Sequence, residues 1–145
     1  MKTIIESLYE YILTCPLLEE LASILVDYLP EKTMTISIEP TPTETVSEWY
    51  VDGSSARQYQ FVMATRFDYD EEAELQINNS GFFEKLQNWM EEQTELENLP
   101  VLEGKRKSTS IEAVSSGYLY NVDPTIRAAR YQIQCVLRYE QEASK

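Results

Sequence analysis

Two stretches of strict alternation organise the chain. In Arg57–Tyr69, the residues Tyr59, Phe61, Met63, Thr65, Phe67 and Tyr69 occupy every second position. In Tyr131–Glu140 the same holds for Tyr131, Ile133, Cys135, Leu137 and Tyr139. Successive side chains of a strand point to opposite faces, so each stretch reads as an antiparallel strand that buries one face. The other faces carry Gln60, Arg66, Gln132, Gln134 and Arg138, which are expected to meet water or a partner. The two stretches align from Tyr59 on Tyr131 to Asp68 on Glu140, yet nothing between them repeats. Convergence of two half-buried strands explains that better than an internal repeat.

The remaining patterns arrange themselves around this pair. Thr3–Thr14 places Ile4, Ile5, Leu8, Tyr11 and Ile12 at helical spacing, and Pro16 ends or kinks that helix. Leu17–Leu29 fits a second helix through Leu18, Leu21, Ala22 and Leu25, while its end, Ile24–Tyr28, fits an extended segment equally well. Thr33–Glu39 alternates as a strand, and Pro40 and Pro42 are expected to forbid regular pairing beyond it. Glu44–Val51 leads into Asp52-Gly53-Ser54-Ser55, a hairpin turn in which Gly53 can take positive φ. A helix is expected from near Glu71, interrupted at Asn78–Gly81 and resuming with Asn79 or Ser80 as its cap. It then runs from Phe82 to Glu95 with Phe82, Leu86, Trp89 and Met90 as its apolar stripe.

Leu99-Pro100 ends the helical region, and Glu103–Ser110 reads as a polar loop holding the basic cluster Lys105, Arg106 and Lys107. Ser110–Tyr120 and Ala129–Gln141 read as strands separated by a turn at Asn121–Pro124. The order α-β-β-β-α-β-β predicts an α+β fold: a mainly antiparallel sheet of four to five strands, with an N-terminal and a central helix packed on one face.

Composition narrows the chemistry. A chain of 145 residues forms one domain, spanning residues 1–145, able to bury roughly 68–70% of its unfolded surface. No apolar run reaches the ~20 residues of a membrane span, and Glu6 and Glu10 break the N-terminal run in a way unlike a signal peptide. Cys15 and Cys135 lack metal-ligand spacing and read as buried thiols of a reduced compartment, with a disulfide between them left open. The net charge of −13 argues against a basic face for a nucleic-acid backbone. Its ordinary consequence is solubility; its sharper one is a surface that DNA slides past. With no histidine, there is no Ser-His-Asp or Cys-His pair and no histidine metal site. Neither a G-x-G-x-x-G nor a P-loop is present among four glycines. The carboxylates from Asp68 to Glu72 fit no EF-hand and suit a helix start. No catalytic, cofactor or metal residues are expected.

Several motifs resemble minor capsid proteins of tailed bacteriophages that infect low-GC Gram-positive bacteria. They are Tyr50-Val51-Asp52-Gly53-Ser54, Arg57-Gln58-Tyr59, Asn79-Ser80-Gly81-Phe82, Trp89 with Glu91-Glu92-Gln93, Leu99-Pro100, Gly117-Tyr118-Leu119 and Ala129–Cys135. The predicted element order is also similar to that of siphophage tail-terminator proteins. The resemblance implies a non-enzymatic virion protein assembled in the bacterial host cytoplasm. It would form a ring, usually hexameric, that caps the tail tube and joins it to the head connector, with DNA passing through the lumen and no membrane involved. It favours an extended Ile24–Tyr28. In such a ring, Arg66, Arg138, Lys105, Arg106 and Lys107 are the candidates to meet carboxylates of a neighbouring subunit. Two other classes compete: an acidic binding module that mimics DNA, and a small enzyme built on carboxylates, tyrosines or Cys135.

Overall fold

The computed structural model describes residues 1–18, 23–26, 35–68, 73–125 and 127–143. Within them, an α+β architecture places two helices against a seven-stranded, mainly antiparallel sheet. This is two or three strands more than the sequence pattern suggests. Four strands precede the central helix: β1 (Ser23–Val26), β2 (Thr35–Pro40), β3 (Val46–Trp49) and β4 (Ser55–Asp68). Three follow it: β5 (Arg106–Ala113), β6 (Tyr118–Asp123) and β7 (Ala128–Gln141). The described part of Ile24–Tyr28 is extended, and β1 pairs parallel with β2; every other pairing is antiparallel.

The two alternating stretches are the centre of the sheet. β4 and β7 are each 14 residues long and pair along their whole length, with Tyr59 opposite Leu137, Phe61 opposite Cys135 and Met63 opposite Ile133. Each has two short partners along its outer side. β2 pairs with Phe61–Thr65 and β3 with Ser55–Arg57 of β4, while β5 pairs with Cys135–Gln141 and β6 with Ala128–Gln132 of β7. The edge strands are therefore interrupted rather than new. What the sequence suggests is one strand over Ser110–Tyr120 breaks at Val114–Gly117, where the amides of Val114 and Ser115 both donate to the Gln134 carbonyl.

Gly117 sits in that break because nothing larger fits. A β-carbon there would lie 2.2 Å from Cβ of Phe83, well inside contact distance. The expected turn at Asn121–Pro124 is shorter than predicted. β6 runs on to Asp123, whose carboxylate accepts the Thr125 amide at 3.0 Å.

Pro40 does not end the pairing as expected. It is the last residue of β2, opposite Phe61, and the next amide, Thr41, still donates to the Gln60 carbonyl at 3.0 Å. Successive backbone nitrogens of a strand face opposite edges. With Thr41 bonded to β4, the donorless nitrogen of Pro40 faces outward, beyond the last residue that β1 pairs. The turn before β4 forms as predicted. Gly53 has φ of 89°, the Tyr50 amide donates to the Ser54 carbonyl at 2.9 Å, and the Asp52 carboxylate accepts the Ser54 amide at 2.9 Å.

The first helix, α1 (Ile4–Ile12), is capped by Thr3, whose hydroxyl accepts the Glu6 amide at 3.3 Å. It is followed by one 3-10 turn at Pro16–Leu18. The central helix, α2, runs unbroken from Ala73 to Glu95. This corrects the expected interruption at Asn78–Gly81 and with it the cap at Asn79 or Ser80. A helix break would orphan up to four C=O groups at one new end and up to four N–H groups at the other. A glycine in mid-helix costs only about 1 kcal/mol relative to alanine, and Asn and Ser less. Continuing is cheaper than stopping. The buried stripe of α2 is Phe83, Leu86 and Met90, with Phe82 and Trp89 half-buried beside it; Phe83 is the member that the predicted stripe lacks.

Both helices cover one face of the sheet. Leu8 and Ile12 of α1 and the α2 stripe join Ile36, Ile38, Phe61, Met63, Phe67, Tyr131, Ile133 and Leu137 in one core. Phe67 is its aromatic hub, with ring centres 5.5 Å from Phe82, 6.3 Å from Phe83 and 6.0 Å from Tyr131. The two pairs with Phe82 and Phe83 are edge-on, an arrangement that contributes about 0.5–1.5 kcal/mol per pair beyond the buried area. The helix ends in a Schellman turn: Glu97, at φ 57°, donates to the Thr94 carbonyl and Asn98 to that of Gln93. Among the described residues no helix is long and apolar enough to cross a membrane. The carboxylates of residues 69–72 lie outside the described residues.

Candidate interaction surfaces

The five cations singled out by sequence do not form one patch. Arg66 is half-buried on the uncovered face of β4, directly opposite Arg130, and is engaged in an interaction of its own. Arg138 is exposed but forms an ion pair with Glu112 on the adjacent strand of the same chain. The basic cluster lies not in a loop but at the start of β5. Lys105 precedes it with φ of 60° and an interaction of its own, Arg106 opens the strand and Lys107 is exposed. Arg106 is fixed by carbonyls, donating to Glu103 at 2.6 Å and to Lys2 at 3.0 Å. Lys107 makes no ion pair among the described residues. Arg66 faces Arg130 and Lys107 faces Glu140, which at ~3.4 Å per residue separates them by about 34 Å along the sheet.

The uncovered face is polar but not open. Arg130 reaches from β7 across β4 to Glu39 on β2, donating to both carboxylate oxygens at 3.2 and 3.0 Å. Its Nε donates to Gln132 at 3.1 Å, Gln132 donates to the Tyr118 hydroxyl at 2.6 Å, and the guanidinium lies 5.3 Å from the centre of the Tyr120 ring. The bridge crosses β4 between the levels of Val62 and Arg66. Ala64, between them, has no exposed surface. Sequence reasoning left Arg130 and Glu39 out because each looks like an ordinary strand residue; only the strand order brings them together.

Two surfaces stand out at one end of the sheet. The turn between β3 and β4 presents Trp49, Tyr50 and Val51 to solvent, with Trp49 65% and Val51 fully exposed. Trp49 is held in place. The Arg57 guanidinium lies 5.6 Å from its ring centre, and the Arg57 Nε donates to the Ser55 hydroxyl at 2.9 Å. Three large apolar residues just before a turn motif were the signal for this tip in the sequence, since no strand alternation requires them.

The second surface is a cleft of about 470 Å³ between the segment after α2 and the outer edge of β5. Leu99, Val101 and Leu102 line it together with Arg106 and Lys107. The edge of β5 beside it is protected: the Ser108 hydroxyl donates to the Pro100 carbonyl at 2.6 Å, and Thr94 Oγ1 both donates to the Ile111 carbonyl and accepts its amide.

The titratable groups of the core serve packing. Burial pushes the Cys15 thiol up to about 11 and raises those of Cys135 and the Tyr11 hydroxyl further. Cys15 and Cys135 are both buried, free thiols, and a thiol so held is a poor nucleophile. Burial also raises Tyr139, opposed by the charges of Arg57 and Arg106 on either side. Among the described residues no group of three or more His, Cys, Asp or Glu side chains is placed to hold a metal ion. No family model matches the chain, and no curated protein matches it.

Proposed function

We propose that the chain is a non-enzymatic structural protein of a tailed-phage or prophage virion, of the minor-capsid or tail-terminator type. It works as a ring at the head–tail junction, capping the tail tube and meeting the head connector. The motif resemblance supports this reading, and so does the way the sheet divides its surfaces. Among the described residues the helices lie on one face, while the β3 side and the β5 side each present a different exposed feature. That division carries the proposal, because a ring of identical subunits needs two unlike surfaces on each copy. The exposed Glu84, Glu91, Glu92 and Glu95 of α2 supply an acidic flank that would repel DNA phosphates if turned to the lumen. Of the five candidate cations, the Lys105–Lys107 cluster is the one at a lateral edge, and it is assigned to subunit contact.

The test is electron microscopy of particles made without this protein. The expected outcome is tails of uncontrolled length, or heads and tails left unjoined. Normal virions would sink the proposal.

A further inference from the structure

We infer that copies of this chain join head to tail, the Trp49-Tyr50-Val51 tip of one seating in the Leu99–Leu102 cleft of the next. The inference rests on the ring reading for its biological role, but its grounds are geometric. Trp49 pairs with Ser55 of β4; Ser55 and Arg106 both pair with Gln141, from opposite sides of β7. Tip and cleft therefore lie at the same level along the strands and at opposite lateral edges of the sheet. A neighbour placed beside this chain, displaced across the strands without a shift along them, brings its tip to the cleft. A head-to-tail contact without axial shift closes into a ring when the rotation between neighbours divides a full turn, and otherwise builds an open filament.

Chemistry favours the same occupant. Glu48 and Asp52 flank the exposed tryptophan, against the one cation Arg57 on its ring, while Arg106 and Lys107 outnumber the one carboxylate, Glu97, among the residues that line the cleft. On a chain of net charge −13, most approaches between copies are repulsive, and this pairing brings opposite charges together. The cleft of about 470 Å³ falls within the ~300–1,000 Å³ range of sites that enclose small ligands, enough for an indole. The Arg57 guanidinium over the Trp49 ring favours one placement of the indole before docking, which lowers the side-chain freedom lost on binding. Buried tryptophans surrounded by a polar rim are also the residues that dominate interfaces.

The full chain is examined by sedimentation velocity over concentrations up to about 1 mM, the weak limit of specific association. The wild type is expected to associate, and Trp49→Ser and Val101→Glu each to weaken association about tenfold or more. Each variant keeps one intact half of the contact, so their equimolar mixture should form heterodimers and nothing larger. Glu48→Lys should also weaken association, and adding Lys107→Glu in the same chain should restore it, a reading that holds even if Trp49→Ser fails to fold. A wild type that stays monomeric throughout overturns the contact, as does association unchanged by both single variants, or a mixture without heterodimers. If the chain is monomeric but Trp49→Ser particles are defective, the tip belongs to a different virion partner and this contact is wrong. A monomeric chain with unjoined particles removes the contact and spares the proposed function. An associating chain with normal particles does the reverse.

Discussion

On the helix side of the sheet, Phe61, Met63, Ile133 and Leu137 lie sealed beneath α1 and α2; on the other side, Val62 and Ala64 are almost as inaccessible. The first group is covered by apolar side chains from two helices. Among the described residues the second has no helix above it, and the Arg130–Glu39 bridge crosses it instead. Strand alternation predicts that one face is apolar and the other polar. It does not predict that the polar face can bury its own small apolar centre. The difference shows that burial and hydrophobic covering are separate properties. They should respond differently to substitution.

The helix side should be the more brittle. Phe83 is fully buried, stacks near Tyr131 and abuts Gly117. Replacing it by alanine should lower the unfolding free energy by about 3–5 kcal/mol, the usual cost of emptying a buried aromatic site, measured by denaturant titration. Gly117→Ala approaches the same contact from the other side. Overpacking against the Phe83 side chain should cost about 1–3 kcal/mol. A loss under ~1 kcal/mol for Phe83→Ala would mean that the helix side is no better packed than the polar side.

The same dry environment makes a pH prediction. The folded thiol of Cys15 titrates near 11 and that of Cys135 is also raised, whereas unfolded cysteines titrate near ~8.5. Above ~8.5 the unfolded chain therefore binds fewer protons than the folded one, and stability must fall as pH rises. Denaturant midpoints should hold steady to about pH 8.5 and decline from there toward 11. Tyr11, raised by the same burial, should join the decline only above its ordinary value near ~10. In a Cys15→Ala, Cys135→Ala chain the onset should move up to the tyrosine range. If it stays at 8.5, the core thiols are not the cause.

The polar side should fail by a different route. Arg130 and Glu39 keep 18% and 28% of their side-chain surface exposed, and Glu39 supplies the carboxylate that balances the Arg130 charge. Glu39→Ala leaves a half-buried guanidinium without its carboxylate and should cost about 1–3 kcal/mol. Arg130→Met combined with Glu39→Leu replaces both charges by apolar groups and should recover most of that loss. Recovery would show that the bridge acts as a cover, interchangeable with a hydrophobic one. If the double variant is as unstable as the sum of the singles, the pair has a specific role that apolar groups cannot replace.

How much of this was legible beforehand depended on the range of the signal. The alternation of Tyr59–Phe67 and Tyr131–Tyr139 gave the two central strands and their buried faces, because period 2 is a property of each strand alone. The Asp52-Gly53 turn was legible for the same local reason. That β4 and β7 are partners was not, since α2, β5 and β6 intervene in the chain. The broken edge strands were missed because Val114–Gly117 is irregular only where it meets Gln134 and Phe83. Among the interface candidates, composition picked out cations but not their partners. Arg138 is claimed by Glu112 and Arg106 by carbonyls, while the exposed tip at Trp49 went unmarked. A surface is a tertiary fact; a strand is nearly a local one.

The smallest effect tests the largest misreading of the sequence. Asn78–Gly81 looks like a break, and α2 passes straight through it. A β-carbon built on Gly81 meets no atom within 4 Å, and its φ is not positive. Gly81→Ala should therefore gain the ordinary helix-interior difference between the two residues, raising stability by about 0.5–1 kcal/mol. A thermal melt with a higher midpoint for the variant is the expected result. If the helix instead ended here, with Gly81 serving as a left-handed cap, alanine would lower the midpoint. The sign of one shift separates a continuous helix from the interrupted one that the residue types suggest.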